Sequence, residues 1–165
     1  VNRETWKTIT TRALAFAGTF VFSLALVSGL PNVKHQRQRY FAQAAMDGSV
    51  ARMRLLHLAG AAVNPRADCC SPLFLAASQG RIAAARYLVS EGADVNAREK
   101  LGDTPLTEAV FYGQVAMTKE LLLQGADVNA LGNRGTALDI AIDKKNADLA
   151  DLLRHYGGKR ANELR

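Results

Sequence analysis

The chain has 165 residues and a mass of 17.8 kDa, room for one domain of ordinary size with an appendage. Hydrophobic residues make up 48% and charged residues 22%, which excludes a disordered chain and a polytopic membrane protein. The net charge of +6 sits almost wholly in residues 1–40, where Arg3, Lys7, Arg12, Lys34, Arg37 and Arg39 face Glu4 alone, so no large basic groove for nucleic acid is expected in the rest.

A basic tail, residues 1–12, leads into an uncharged run from Ala13 to Val33. As a helix from Ala13 to Leu30, with a few residues of approach, it reaches roughly 30 Å at ~1.5 Å per residue, about one bilayer core. Basic residues flank both ends, Trp6 and Tyr40 are suited to the interface, and Pro31 marks an exit. Residues 13–33 therefore read as a single transmembrane helix or uncleaved signal anchor that would contact the lipid bilayer. A cleaved secretory signal competes, since Val27-Ser28-Gly29 would serve as a cleavage site and leave a secreted or periplasmic soluble module. Ala15, Thr19 and Ser23 recur at every fourth position, with Gly18, Ala25 and Ser28 on a neighbouring stripe. Such small side chains let another membrane helix approach closely. Three basic residues precede the span and three follow it closely, so the positive-inside count is nearly tied. The export-like leader tilts the reading toward an extracytoplasmic domain, with the cytoplasmic face as the alternative. A first residue of Val implies residues upstream of it or a non-standard start codon.

Residues 34–39 read as a short basic linker. From Pro31 to about Arg39 even a fully extended chain reaches at most ~30 Å, which keeps the following domain near the membrane surface. Lys34, Arg37 and Arg39 then fall in the headgroup zone.

From residue 40 onward two phrases recur in fixed phase. Gly92-Ala93-Asp94-Val95-Asn96-Ala97 returns unchanged as Gly125-Ala126-Asp127-Val128-Asn129-Ala130, and a weaker copy stands at Gly60-Ala61-Ala62-Val63-Asn64. Ser71-Pro72-Leu73-Phe74-Leu75-Ala76 is echoed by Thr104-Pro105-Leu106-Thr107-Glu108-Ala109 and Thr136-Ala137-Leu138-Asp139-Ile140-Ala141. In the second phrase a hydroxyl caps a helix, proline occupies its first turn, leucine points inward and alanine permits close packing. A second helix follows, with Ile82, Ala85, Leu88 and Val89 in one copy and Val115, Thr118, Leu121 and Leu122 in the next at 3.6-residue spacing. Gly92 and Gly125 stop it, and Asp94 with Asn96, or Asp127 with Asn129, suits the turn that follows.

These phrases resemble the ankyrin repeat over roughly residues 40–160. The resemblance implies an all-α solenoid of about four helix pairs with projecting β-turn fingers. The expected boundaries are an N-terminal cap unit at 40–64, repeats at 65–97 and 98–130, a C-terminal cap unit at 131–160 and a polar tail at 161–165. Two fingers are a residue short, and Ala137 replaces the expected proline, which leaves local turn geometry open.

No H-E-x-x-H, C-x-x-C, P-loop or G-x-S-x-G pattern is present, and His35, His57 and His155 lie far apart in sequence. Cys69 and Cys70 are adjacent, a poor arrangement for a disulfide, and read as thiols. No catalytic residue, metal or cofactor, nucleic acid or small-molecule substrate is therefore expected. The ankyrin resemblance implies a protein partner, held by finger tips and the ends of the inner helices. The candidate positions are Lys100, Leu101 and Asp103 on a finger, and Ser78, Gln79, Phe111, Tyr112, Asp143 and Lys144 on helix ends. Asp68, Cys69, Cys70, Asn133 and Arg134 are further free finger positions. Phe111-Tyr112 is the favoured pair, because exposed aromatics contribute disproportionately to interfaces. Together with the apolar run, this makes the chain an accessory or scaffold subunit of a larger membrane protein complex.

Overall fold

The structure is a computed structural model that describes residues 31–65 and 70–164. Most of the expected span at 13–33, with Ala15, Gly18, Thr19, Ser23, Ala25 and Ser28, lies outside the described residues, as do Asp68 and Cys69. Among the described residues no helix is long and apolar enough to cross a membrane. The chain divides into two compact units, Val1–Gln38 and Arg39–Arg165.

Eight α-helices among the described residues form four antiparallel pairs: α1 (Pro31–Asp47) with α2 (Val50–Leu58), α3 (Pro72–Ser78) with α4 (Ile82–Ser90), α5 (Pro105–Phe111) with α6 (Val115–Leu123), and α7 (Ala137–Asp143) with α8 (Ala147–His155). A 3-10 turn, Ala161–Glu163, ends the described chain. The expected linker at 34–39 is a correction: it is part of the continuous 17-residue helix α1. Residues 34–39 read Lys-His-Gln-Arg-Gln-Arg, with no glycine, proline or β-branched side chain to interrupt a helix, and Pro31 is tolerated in the first turn.

The inner helices start as their sequence dictates. Ser71 Oγ accepts from Phe74 N–H at 3.2 Å, and Thr104 and Thr107 cap each other through N–H to Oγ1 bonds of 3.3 and 2.8 Å. The absent proline at Ala137 costs the fold nothing visible, because Thr136 and Asp139 form a full capping box. A left-handed residue turns each inner helix into its outer partner: Gly48, Gly80 and Gly113 in the first three pairs, Lys145 at φ 55° in the fourth. A lysine there costs about 1 kcal/mol relative to glycine.

The core runs unbroken through the pairs. Leu73, Leu106 and Leu138 are buried with Ala76, Ala109 and Ala141 beside them, Phe41 occupies the leucine position of the first pair, and Leu88, Leu121 and Leu153 line the outer helices. Val115, expected on the buried stripe, is exposed, although Val50 and Ile82 at the same first position of their outer helices pack against the core.

The asparagine of each glycine-alanine phrase does more than shape a turn. Asn64 Nδ2 donates to Gly92 O (2.8 Å) while its Oδ1 accepts from Asp94 N–H (3.1 Å). Asn96 repeats this toward Gly125 O and Asp127 N–H, and Asn129 toward Gly157 O and Lys159 N–H. Each amide thus bolts one pair to the next, satisfying two backbone groups that the left-handed glycine turn leaves open. Within a repeat, Asp94 and Asp127 accept from the N–H groups of Asn96 and Asn129 at 2.9 Å, holding the amide in register.

The chain end expected as a polar tail is instead pinned to α7. Asp139 accepts from Arg160 Nε and Ala161 N–H at 2.9 Å each, and Thr136 Oγ1 donates to Lys159 O at 2.8 Å. Burial opposes the Asp139 charge, but the Ala161 N–H, the Arg160 guanidinium and the Thr136 groups outweigh it and hold its pKa below the ordinary aspartate value. A carboxylate with a lowered folded pKa stabilises fully above its unfolded value, about 3.9, and loses that contribution as pH falls through the lower folded value. Asp139→Asn should therefore cost about 1–2 kcal/mol near neutrality, and the gap from wild type should shrink below about pH 4. Urea unfolding at neutral and acid pH measures both, and a gap independent of pH contradicts the assignment.

Candidate interaction surface

Phe111 is the last residue of α5 and Tyr112 follows it, so the pair stands where the inner helix breaks toward Gly113. Their rings meet edge to face at 5.3 Å. They are not equivalent. Phe111 is half-buried against the core, whereas Tyr112 is 54% exposed. Two cations from the following repeat lie over the Phe111 ring, Arg134 at 4.1 Å and Lys144 Nζ at 3.8 Å from its centroid. Phe111 is thus a fixed support shared by two repeats, and Tyr112 is the side chain free to meet a partner.

Arg134 ties this support to the finger. Its Nη2 lies 3.1 Å from Asp103 Oδ2 and also bonds Glu108 Oε2. Burial works against the Arg134 charge, but the hydrogen bond it donates to Glu108 and the field of Asp103 and Glu108 overcome it and raise its pKa further. Asp103, expected to be a free finger position, is corrected: it is only 5% exposed, facing Arg134 and packed so closely on Gly132 that a Cβ there would collide with its carboxylate. Ser78 is corrected likewise, since it is buried and its Oγ donates to Leu75 O at 2.8 Å. Gln79, Lys100, Leu101, Asp143 and Lys144 are exposed, as are Asn133 and Cys70. Leu101 and Asn133 are joined across adjacent fingers, Asn133 N–H donating to Leu101 O at 3.1 Å.

The ion cluster was signalled by register. Glu108 occupies the position held by Leu75 and Ile140 in the neighbouring repeats, and Glu120 the position held by Tyr87 and Leu152. An acid in an apolar column must bring a cation with it. For Glu120 that cation is Arg86 of the preceding repeat, bonded through both oxygens at 2.9 and 2.7 Å; with Gln124 it holds the Glu120 pKa below the ordinary range.

Among the described residues no group of three His, Cys, Asp or Glu side chains is placed to hold a metal ion. The described histidines have separate settings: His57 Nδ1 lies 3.0 Å from Ala61 O and its Nε2 3.5 Å from Glu91, while His155 stacks edge-on with Tyr156.

A family model of ankyrin repeats, in three copies, matches residues 41–131. The chain is an ankyrin-repeat protein. No curated protein matches it. The family match ends where the fourth helix pair begins, yet that pair keeps the ankyrin capping phrase, the buried leucine and alanine, and the asparagine bond from the repeat before it. Ankyrin repeats are a non-catalytic interaction fold, and they make this chain a protein–protein interaction module.

Proposed function

We propose that this ankyrin protein is a non-enzymatic module anchored by its N-terminal run in a membrane, where it serves as an accessory or scaffold subunit of a larger protein complex. The observation that carries the interaction half is the exposed Tyr112 seated on a Phe111 ring that Arg134 and Lys144 hold in place. A rigid aromatic anchor loses little conformational freedom on binding, which is the usual character of an interface hot spot. Leu101 at a finger tip, 67% exposed, supplies apolar surface. Lys100, Gln79, Asp143 and Lys144 supply polar and charged groups. The membrane half is supported by the uncharged stretch 13–33 and its stripe of small residues.

The experiment is affinity capture of the full chain from mild detergent. Tyr112→Ala should weaken retention of co-purifying membrane subunits by about 10- to 100-fold in affinity, with helical content unchanged. Phe111→Ala is the poorer probe, since it also removes the support of Arg134. Unchanged retention on Tyr112→Ala removes the aromatic platform from the reading. Release of the intact chain from membranes by alkaline carbonate, or an intact mass lacking about the first 29 residues, removes the anchor.

A further inference from the structure

The outer helices are all nine residues long, so their positions correspond one to one. The third position is Arg52, Ala84, Met117 and Leu149 in turn; the sixth is Leu55, Tyr87, Glu120 and Leu152. The sixth column faces the preceding repeat, and the third lies one turn from it on the same side of the helix. Arg54 lies over the Tyr87 ring, and Arg86 grips Glu120, each reaching forward from the repeat before. Ala84, Met117 and Leu149 are buried completely or nearly so, and Tyr87 and Glu120 are also buried. In the first repeat, which no repeat among the described residues precedes, the Arg52 side chain is 70% exposed and Leu55 is 55% exposed. Leu58, one turn on from Leu55, is 84% exposed at a position that is exposed in every repeat (Ser90, Leu123 and His155), so it flanks the stacking face instead of belonging to it, and Tyr40 of α1 is exposed as well. The opposite end of the array is closed by the Ala161–Glu163 turn bound to Asp139 and by the charged Asp148, Asp151 and Arg154 of α8. The first repeat therefore ends in a stacking face that carries Leu55 and Arg52, with Leu58 beside it.

Charge decides what fits there. Residues 34–58 carry Lys34, Arg37, Arg39, Arg52 and Arg54 against Asp47 alone, while the thirteen basic and thirteen acidic residues after Leu58 cancel. Asp47 meets Arg52 at 3.5 Å, an exposed pair that exchanges easily. A second copy stacked face to face would bring Arg52 toward Arg52. A head-to-tail copy would meet an end already covered by the Ala161–Glu163 turn. Leucine and tyrosine side chains among arginines are instead the composition of a membrane-interface surface. The uncharged run 13–33 ends only seven residues before Tyr40 in sequence.

We infer that the open stacking face of the first repeat, formed by Arg52 and Leu55 and flanked by Leu58, with Arg39 and Tyr40 exposed on α1, is a docking surface for an anionic lipid bilayer that fixes the tilt of the ankyrin array on the membrane. The inference rests on the membrane-anchored reading for its proximity to lipid. Each arginine near an anionic surface strengthens the contact about fivefold, and salt weakens it within a Debye length.

The full chain is reconstituted into vesicles of phosphatidylcholine alone or mixed with phosphatidylglycerol, both containing a headgroup-borne quencher. An environment-sensitive fluorophore is placed at Leu58→Cys in a Cys69→Ser, Cys70→Ser background. The control is Leu123→Cys, the same helix position two repeats on and also exposed. Quenching is expected at 58, not at 123, only with phosphatidylglycerol. Added salt should reduce it, and Arg52→Glu should lower the docked-to-undocked ratio by about fivefold or more. A label at 58 that is unquenched in both lipids, or quenched equally at 123, overturns the docking surface. So does a label shielded from water in both lipids without quenching, which reports cover by protein, and light scattering then tells a second copy from the chain's own leader. Should the chain resist carbonate extraction while 58 stays unquenched, docking fails and the anchor stands. If carbonate releases the chain but 58 is still quenched by anionic vesicles, the anchor fails and the docking face stands.

Discussion

Arg134→Met is expected to destabilise the array by about 3 kcal/mol, because it strands two buried carboxylates without removing them. Asp103 and Glu108 are both nearly inaccessible, and Arg134 is the cation that meets each of them. The cost comes from the charges left behind, not from the pair's own strength. The double substitution Arg134→Met with Glu108→Gln should accordingly lie closer to wild type than the sum of the two single substitutions, with a coupling of about 1–3 kcal/mol. Urea unfolding of the four proteins in the cycle measures it. Additive effects would mean that Arg134 is a surface residue crossing the cleft by chance. Loss of Arg134 should also release the Phe111 ring, so Tyr112 should become more mobile even where the fold persists.

The second large effect tests how burial depends on having neighbours on both sides. Leu121 and Leu56 occupy the same position of their outer helices. Leu121, with a repeat before and after it, is completely buried; Leu56, with a repeat only after it among the described residues, is half-buried. Leu121→Ala removes the same atoms as Leu56→Ala but leaves a closed cavity, and should cost about 3–4 kcal/mol. Leu56→Ala should cost about 1 kcal/mol, since its site opens to the solvent at the end of the array. In a solenoid, stability is a sum of repeat and interface contributions, so the interior substitution should also uncouple the repeats on either side of it. Equal costs would show that the first repeat is stacked against something and that its face is not open.

Much of the architecture was legible before any coordinates. The threonine-proline-leucine phrase carries its own helix start, and the glycine that closes each outer helix carries its own stop, so both act locally. Their 32- to 33-residue interval sets how many helix pairs there are. The leucine and alanine columns follow from the phase of the phrase, and nearly all are buried as expected. Phe111-Tyr112 as an aromatic pair at a helix end was also readable, since the position is set by the framework. Its division into one supporting ring and one exposed ring was not, because that depends on Arg134 and Lys144, which approach from the following repeat. Asp103 and Ser78 were misread for the same reason: framework counting identifies which positions are unconstrained within a repeat and says nothing of what covers them.

The order and spacing of residues thus determined the repeat, the family, the capping of each helix and the columns of the core, all of which arise from interactions within about four residues or from strict periodicity. Only the tertiary structure decided what happens between repeats. It converted Asn64, Asn96 and Asn129 from turn formers into bolts, turned Asp103, Glu108 and Arg134 into a buried ion cluster, and folded the chain terminus onto Asp139. Such partners lie roughly 20 to 36 residues apart, and a side chain's reach across that distance depends on how the backbone stacks, which no local pattern encodes.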